Sequence, residues 1–234
     1  MIPRRINSGI LAEPEGRVLD VLVALVPRWV SPDMLTGLGI FGAMLGCLGF
    51  AMALTSGVSL SLVAAGFGLN WLGDSLDGRL ARLRRTERRI QGFILDNGVD
   101  LISYLLLALG FAMSGLVSLP IPFLLLSLYV LLSNLALARL LITGVHDLAI
   151  DAVGTTELRV AFVGLAALLF GFPEFFRALI PLLEITVLDF LSLFWASLML
   201  LNFVIVLRRD IRNARQADES LASRLARDPE SLPP

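Results

Sequence analysis

The chain has no lysine, one cysteine and one histidine in 234 residues, and each scarcity narrows what it can be. With no lysine, every basic side chain is a permanently charged arginine, so the arginines alone record where positive charge is placed. The single cysteine, Cys47, rules out an intramolecular disulfide and sits in an apolar run, where a small buried role suits it. The single histidine, His146, lies far in sequence from the acidic clusters, which leaves no nitrogen and sulfur ligand set of the kind zinc takes. It reads as an ordinary loop residue. The N-terminus lacks the apolar core and small-residue cleavage site of a signal peptide, since its arginines are followed by Glu13 and Glu15. Net charge is −1, a balance that hides local basic clusters and gives no cue for a nucleic-acid partner.

What is abundant is apolar surface. Hydrophobic residues make up 56% of the chain, above the roughly 45–50% of globular domains, a figure that also counts glycine. Apolar runs near 34–55, 58–80, 92–115, 120–143, 159–173 and 182–207 predict about six spans, the fifth being short for about 20 residues. The expected fold is an all-α polytopic membrane helical bundle. Ahead of it, residues 17–26 carry helical apolar spacing with charge at the start, predicting an interfacial amphipathic helix within a cytoplasmic N-terminal region, 1–31. Ser31 and Pro32 form an N-cap and first helical position for the first span, and Trp29 suits an interfacial anchor. The membrane domain spans 32–207. Residues 208–234 are polar and end in Pro233 and Pro234, predicting a short helix fraying into a cytoplasmic tail.

Arginine placement orients the bundle. Arg82, Arg84, Arg85, Arg88 and Arg89 lie between spans two and three; others precede span one, flank the link from span four to five, or follow span six. The connections at 55–59 and 115–122 carry no charge. The positive-inside rule then puts both termini and the acidic run between 74 and 100 at the cytoplasmic face of an integral membrane protein. Gly39, Gly42, Gly46 and Gly49 line much of one side of span one, a small-xxx-small pattern that serves either packing within the bundle or a dimer seam.

The stretch from Asp74 to Asp100 carries the chemistry. Asp74 and Asp77 share a helical face, extended by Gly78 and Ala81 at four-residue offsets, and Gly92, Asp96 and Asp100 repeat that spacing on the next span. Ionisable groups inside a membrane span are costly and mark substrate or ion pathways. Four carboxylates without nearby cysteine or histidine favour a hard cation, Mg²⁺ or Mn²⁺. Two such ions about 3.5–4 Å apart steady both attacking and leaving oxygens of a displacement, so phosphoryl transfer follows. Small side chains at Gly78 and Ala81 leave the backbone open to a nucleotide or pyrophosphate, and Arg82 offers a planar fork for phosphate.

Asp74, Asp77, Gly78, Ala81, Arg82, Gly92, Asp96 and Asp100 resemble, in identity and order, the signature of the CDP-alcohol phosphotransferases (class I CDP-alcohol phosphatidyltransferases). Pro32, Asp33 and Thr36 resemble the element that opens the first span of that family. The resemblance implies a homodimeric membrane enzyme of phospholipid biosynthesis that moves a substituted phosphate from a CDP-linked donor to an alcohol acceptor and releases CMP. It implies that Asp74, Asp77, Asp96 and Asp100 hold two divalent ions, with Asp100 also the catalytic base. Asp74, Gly78, Ala81, Arg82 and Gly92 would accommodate the CDP moiety among membrane lipids.

Two donor readings stand. In one, a phosphatidyl group passes from CDP-diacylglycerol to a polar alcohol, which the short chain favours. In the other, CDP-choline or CDP-ethanolamine reacts with diacylglycerol, which the resemblance of Asp96-Asn97-Gly98-Val99-Asp100 to an aminoalcohol motif favours. Leu101, where many relatives using phosphorylated acceptors carry Lys or Arg, weighs against such acceptors, although Arg139 and Arg159 are candidates for meeting an anionic group. Other classes are a cation-coupled transporter and a non-catalytic membrane scaffold. Transport predicts acidic residues near the bilayer midplane with repeat symmetry, and a scaffold predicts a damaged signature; the carboxylates here crowd one face and the signature is complete.

Overall fold

The computed structural model describes residues 4–6, 12–53, 58–143, 145–147, 163–169 and 171–227, and is almost wholly helical. The helices are α1 (Ala12–Leu25), α2 (Pro32–Ala51), α3 (Ser59–Leu83), α4 (Arg89–Met113), α5 (Pro120–Thr143), α6 (163–169), α7 (Pro173–Arg177) and α8 (Val187–Arg227). The strands are vestigial: Arg4–Ile6 pairs in parallel with Val145–Asp147, which contains His146, and Leu179–Ile180 pairs with Ile185–Thr186. Among the described residues, four helices, α2, α4, α5 and α8, are long and apolar enough to cross a membrane. This is an all-α integral membrane bundle.

Its helix count departs from the six expected spans. At about 1.5 Å per residue, α3 has the length to cross, but Asn70, Asp74 and Asp77 dilute its apolar run. The expected span 159–173 falls partly outside the described residues; within them, α6 is one short segment and the chain bends at Phe172 before α7. The last span begins at Val187, later than expected. It continues without a break beyond 207, as helix to Arg227, carrying the exposed i,i+4 pair Arg215–Glu219.

The bundle is organised by α2 and α3. Ser31 accepts a hydrogen bond from the Met34 N–H (3.2 Å) ahead of Pro32, the expected N-cap and first turn. Beyond it, the small residues of α2 meet those of α3 backbone to backbone. A Cβ on Gly66 would stand 2.7 Å from the Gly42 carbonyl oxygen, one on Gly49 would meet Val63 N at 2.7 Å, and one on Gly73 would collide with the Gly39 backbone. Of the two roles open to the glycine stripe, it fills the packing one, inside the chain. α4 closes on the same helix, most tightly where a Gly110 Cβ would lie 2.6 Å from the Cys47 Cα.

Helix α1 lays Leu19 and Val23 against Leu35, Leu76 and Leu80, while Val18, Val21 and Leu25 stay exposed. Trp71 Nε1 donates to Glu15 (2.9 Å) and Arg79 pairs with Asp20 (2.5 Å), fixing α1 to α3. The Arg84 guanidinium draws in the α1–α2 link by donating to the carbonyls of Val30 and Pro27, the latter at 2.8 Å. α3 ends in a Schellman turn: Arg85 takes a left-handed φ of 56°, and Thr86 N–H reaches back to the Ala81 carbonyl at 2.9 Å. The resulting link to α4 is short, so the arginine-rich ends of α3 and α4 are neighbours. At the opposite end, buried Asp189 accepts from both the N–H and Oγ of Ser118 (2.7 Å each), tying the start of α8 to the α4–α5 link.

The glycine seam makes a sharp prediction. Gly66→Ala should lower the melting temperature in detergent, overpacking being worth roughly 1–3 kcal/mol. Gly68→Ala, on the same helix but with nothing within 4 Å of its Cβ position, should leave it unchanged or raise it, alanine being the better helix former by about 1 kcal/mol. Equal melting temperatures for the two variants would refute the seam.

Candidate active site

Asp74 follows directly on Gly73, the residue at which α3 touches α2, so the register of the glycine seam sets where the first carboxylates lie. Asp77 is one turn on, and Thr36 Oγ1 of α2 donates to it at 2.6 Å while also reaching the Pro32 carbonyl at 3.2 Å. The Gly78 N–H donates to the other Asp77 oxygen. From α4, Asp96 and Asp100 face the same space. All four carboxylates line one cavity of about 10 Å³, roughly a single water's worth, with Thr36, Gly39, Asn70 and Val99 completing its wall.

Four acidic side chains, three residues apart on α3 and four apart on α4, therefore line one space. The donors are all oxygen, which suits a hard divalent cation. Their side chains surround a common space without closing on one point: among the described residues, no three acidic, histidine or cysteine groups stand together at metal-holding distance. The Asp77 carboxylate is meanwhile engaged by Thr36 and Gly78.

The positions expected to admit a nucleotide stand open. At Gly92 a Cβ would meet nothing within 4 Å; at Gly78 the nearest group is the Arg82 guanidinium, at 3.5 Å. Ala81 is partly buried and Arg82 exposed at the α3 end. Arg88 pairs with Asp33 at the first turn of α2, bringing the Pro32-Asp33-x-x-Thr36 element beside the α3–α4 link.

Arg139 is not among the groups lining the aspartate cavity. Its Nε and Nη2 both donate to one oxygen of Asp210 on α8, at 3.1 and 2.8 Å. Arg159 lies outside the described residues, and for His146 only its backbone place in the short strand is described.

Two polar residues of the site escaped the sequence reading. Asn70, buried in mid-helix, donates to the Gly39 carbonyl (3.1 Å) and to Ser103 Oγ (3.3 Å), linking α3 to both α2 and α4. Its signal was available: it lies four residues before Asp74, on the same face of an otherwise apolar span. Ser103, almost wholly buried, gave none of comparable strength.

The family model for CDP-alcohol phosphatidyltransferase matches residues 29–207, well over half the chain and every residue of this cavity. The chain belongs to the CDP-alcohol phosphatidyltransferase family. A search of curated protein sequences returned no match. Membership in this family of phosphotransferases implies transfer of a phosphatidyl group from a CDP-alcohol to an acceptor, so the aspartates on α3 and α4 of this CDP-alcohol phosphatidyltransferase family member are its candidate catalytic centre.

The Arg139–Asp210 pair is testable. Arg139→Ala and Asp210→Ala should each lower the melting temperature, and the double variant should lose little more than either, because partners in one interaction are not additive. A raised KM for the acceptor in Arg139→Ala, with the melting temperature unchanged, would instead assign Arg139 to the acceptor.

Proposed function

We propose that this protein transfers a phosphatidyl group from CDP-diacylglycerol to a polar alcohol and releases CMP, at the cytoplasmic face of the membrane. The observation that carries the reading is the convergence of Asp74, Asp77, Asp96 and Asp100 on one cavity at the arginine-rich end of a membrane bundle. Uncompensated, that cluster would be a burden no apolar bundle tolerates. Two Mg²⁺ or Mn²⁺ ions held by the four aspartates would supply charge neutralisation of the pyrophosphate.

The chain's own residues account for the rest. Gly78 and Gly92 leave room for the CDP moiety beside the backbone, Ala81 keeps the adjoining surface small, and Arg82 meets phosphate oxygens at the helix end. Asp100, on the innermost turn of the four, takes the proton of the acceptor hydroxyl. The oxygen so freed attacks the phosphorus bearing the diacylglycerol; the bond from that phosphorus to the CMP oxygen breaks, and CMP leaves. The arginines of the α3–α4 link and the α1–α2 region support a cytoplasmic side for this end and for both termini. A homodimer is the expected assembly, by the resemblance the signature carries.

Purified protein in lipid nanodiscs with Mg²⁺ or Mn²⁺ should release CMP from CDP-diacylglycerol and a pool of polar alcohols. Release only from CDP-choline or CDP-ethanolamine with diacylglycerol would move it to the aminoalcohol reading, and silence with both would reject the enzymatic one. Asp100→Asn should abolish turnover while retaining donor binding; full CMP release by that variant removes Asp100 as base. Thorough chelation should stop the reaction, and turnover undiminished by it would sink the metal requirement.

A further inference from the structure

Asn70 is a neutral polar side chain, 5% exposed, in the middle of α3 and in the wall of the aspartate cavity. It lies one turn before Asp74, and its partner Ser103 lies about one turn beyond Asp100, so it stands at the end of the cavity away from the arginine-rich link. Its orientation is set by chemistry. The Gly39 carbonyl can only accept, so the group facing it at 3.1 Å is the amide nitrogen, and Ser103 Oγ meets the same nitrogen at 3.3 Å. Both N–H donors of the amide are thereby used.

The amide oxygen is left over. Among the described residues no donor reaches it, and every side-chain oxygen or nitrogen sealed inside the protein has a partner. Oδ1 therefore opens on free space, and the space that Asn70 lines is the aspartate cavity. An acceptor left over in a membrane span costs free energy unless something meets it, so the tie to Gly39 and Ser103 does not by itself account for an asparagine here.

What can meet it is restricted by its neighbours. A carbonyl oxygen takes a proton donor or a cation. Carboxylates and the phosphates of a CDP-linked donor are acceptors and offer it nothing, and the Thr36 hydroxyl already donates to Asp77. The attacking hydroxyl of the alcohol has one proton, which the transfer reading sends to Asp100. A hard cation remains, met by Oδ1 itself or through one water of its shell, since amide carbonyls are ordinary ligands of such ions and Mg²⁺ keeps several of its waters. The four carboxylates line their space without closing on one point, so the set has room for a fifth oxygen.

We propose that Asn70 supplies a fifth, neutral oxygen to the cation site of Asp74, Asp77, Asp96 and Asp100, an inference that rests on the divalent-cation part of the phosphatidyl-transfer reading. A neutral ligand holds the ion at the inner end without adding a negative charge that would repel the pyrophosphate.

The test is Mn²⁺ titration of the purified protein in nanodiscs without substrate, followed by the electron paramagnetic resonance signal of the free ion, for wild type, Asn70→Leu, Asn70→Ser and Ser103→Ala, with the melting temperature of each. Serine at position 70 keeps a donor for the Gly39 carbonyl and withdraws the amide oxygen, so it carries the test if leucine prevents folding. Both Asn70 variants should bind Mn²⁺ about tenfold more weakly, a loss typical of removing a supporting group from a metal site. Ser103→Ala loosens the tie but keeps the oxygen, so it should melt lower and bind Mn²⁺ as wild type does. In CMP release, Asn70→Ser should need about tenfold more Mg²⁺ for half-maximal rate. Unchanged Mn²⁺ affinity in the Asn70 variants would overturn the proposal, and so would an equal loss in Ser103→Ala, which would reduce Asn70 to a helix tie. A wild type that binds no Mn²⁺ would overturn the cation reading and this inference with it, an outcome distinct from a wild type that binds the ion and variants that bind it equally well.

Discussion

The arrangement depends on one close approach, the backbone of α2 against the backbone of α3. Lipid tails are as apolar as the helices, so burial of hydrocarbon gives little net drive, and the available energy is van der Waals contact at short range. Gly42, Gly49, Gly66 and Gly73 permit it: each sits where a Cβ would fall inside van der Waals distance of the other helix. Because the contact runs to Gly73, the residues after it inherit a fixed position. Asp74 cannot move relative to Gly39, and Asp77 arrives within a hydrogen bond of Thr36. The seam is therefore a registration device for the carboxylates as much as a source of stability.

The second pair of carboxylates is placed by two further constraints. The α3–α4 link is closed tightly by the Schellman turn at Arg85, and α4 rests on α2 where Gly110 meets Cys47. With both ends of α4 held, Asp96 and Asp100 have one face available to them, the one toward α3. Asn70 adds a polar tie between all three helices at the inner edge of the cavity, bonding Gly39 of α2 and Ser103 of α4. Polar contacts between membrane helices are individually modest, about 0.6 kcal/mol on average, so their weight here lies in specificity of placement.

Much of this was legible in the sequence, and the boundary of legibility is physical. The aspartates could be paired because three- and four-residue spacing is a property of the helix itself and needs no knowledge of partners. The N-cap at Ser31 and the amphipathic face of α1 are local for the same reason. The glycine stripe announced close contact but not with what, since a backbone groove fits a neighbour in the same chain or in another. The pairing of Arg139 with Asp210, 71 residues further on in α8, could not be read from local spacing. Helix α8 outlasted its hydropathy because arginines and acidic residues such as Arg215 and Glu219 support a solvated helix as readily as leucines support a buried one. The weak fifth span was a hydropathy signal without the length to match it.

The depth of the cavity ties fold to chemistry. Counted from the ends of α3 and α4 that meet at the arginine-rich link, the four aspartates lie roughly 9 to 16 Å along their helices, at 1.5 Å per residue. The carboxylates are thus set about two to three helical turns inward of the basic link rather than among its arginines. In the proposed reaction that offset leaves Arg82 at the polar helix end and the aspartates on its apolar side, so that a phosphate group is met from both. The glycine seam, by ending at Gly73 rather than a turn earlier or later, sets that depth.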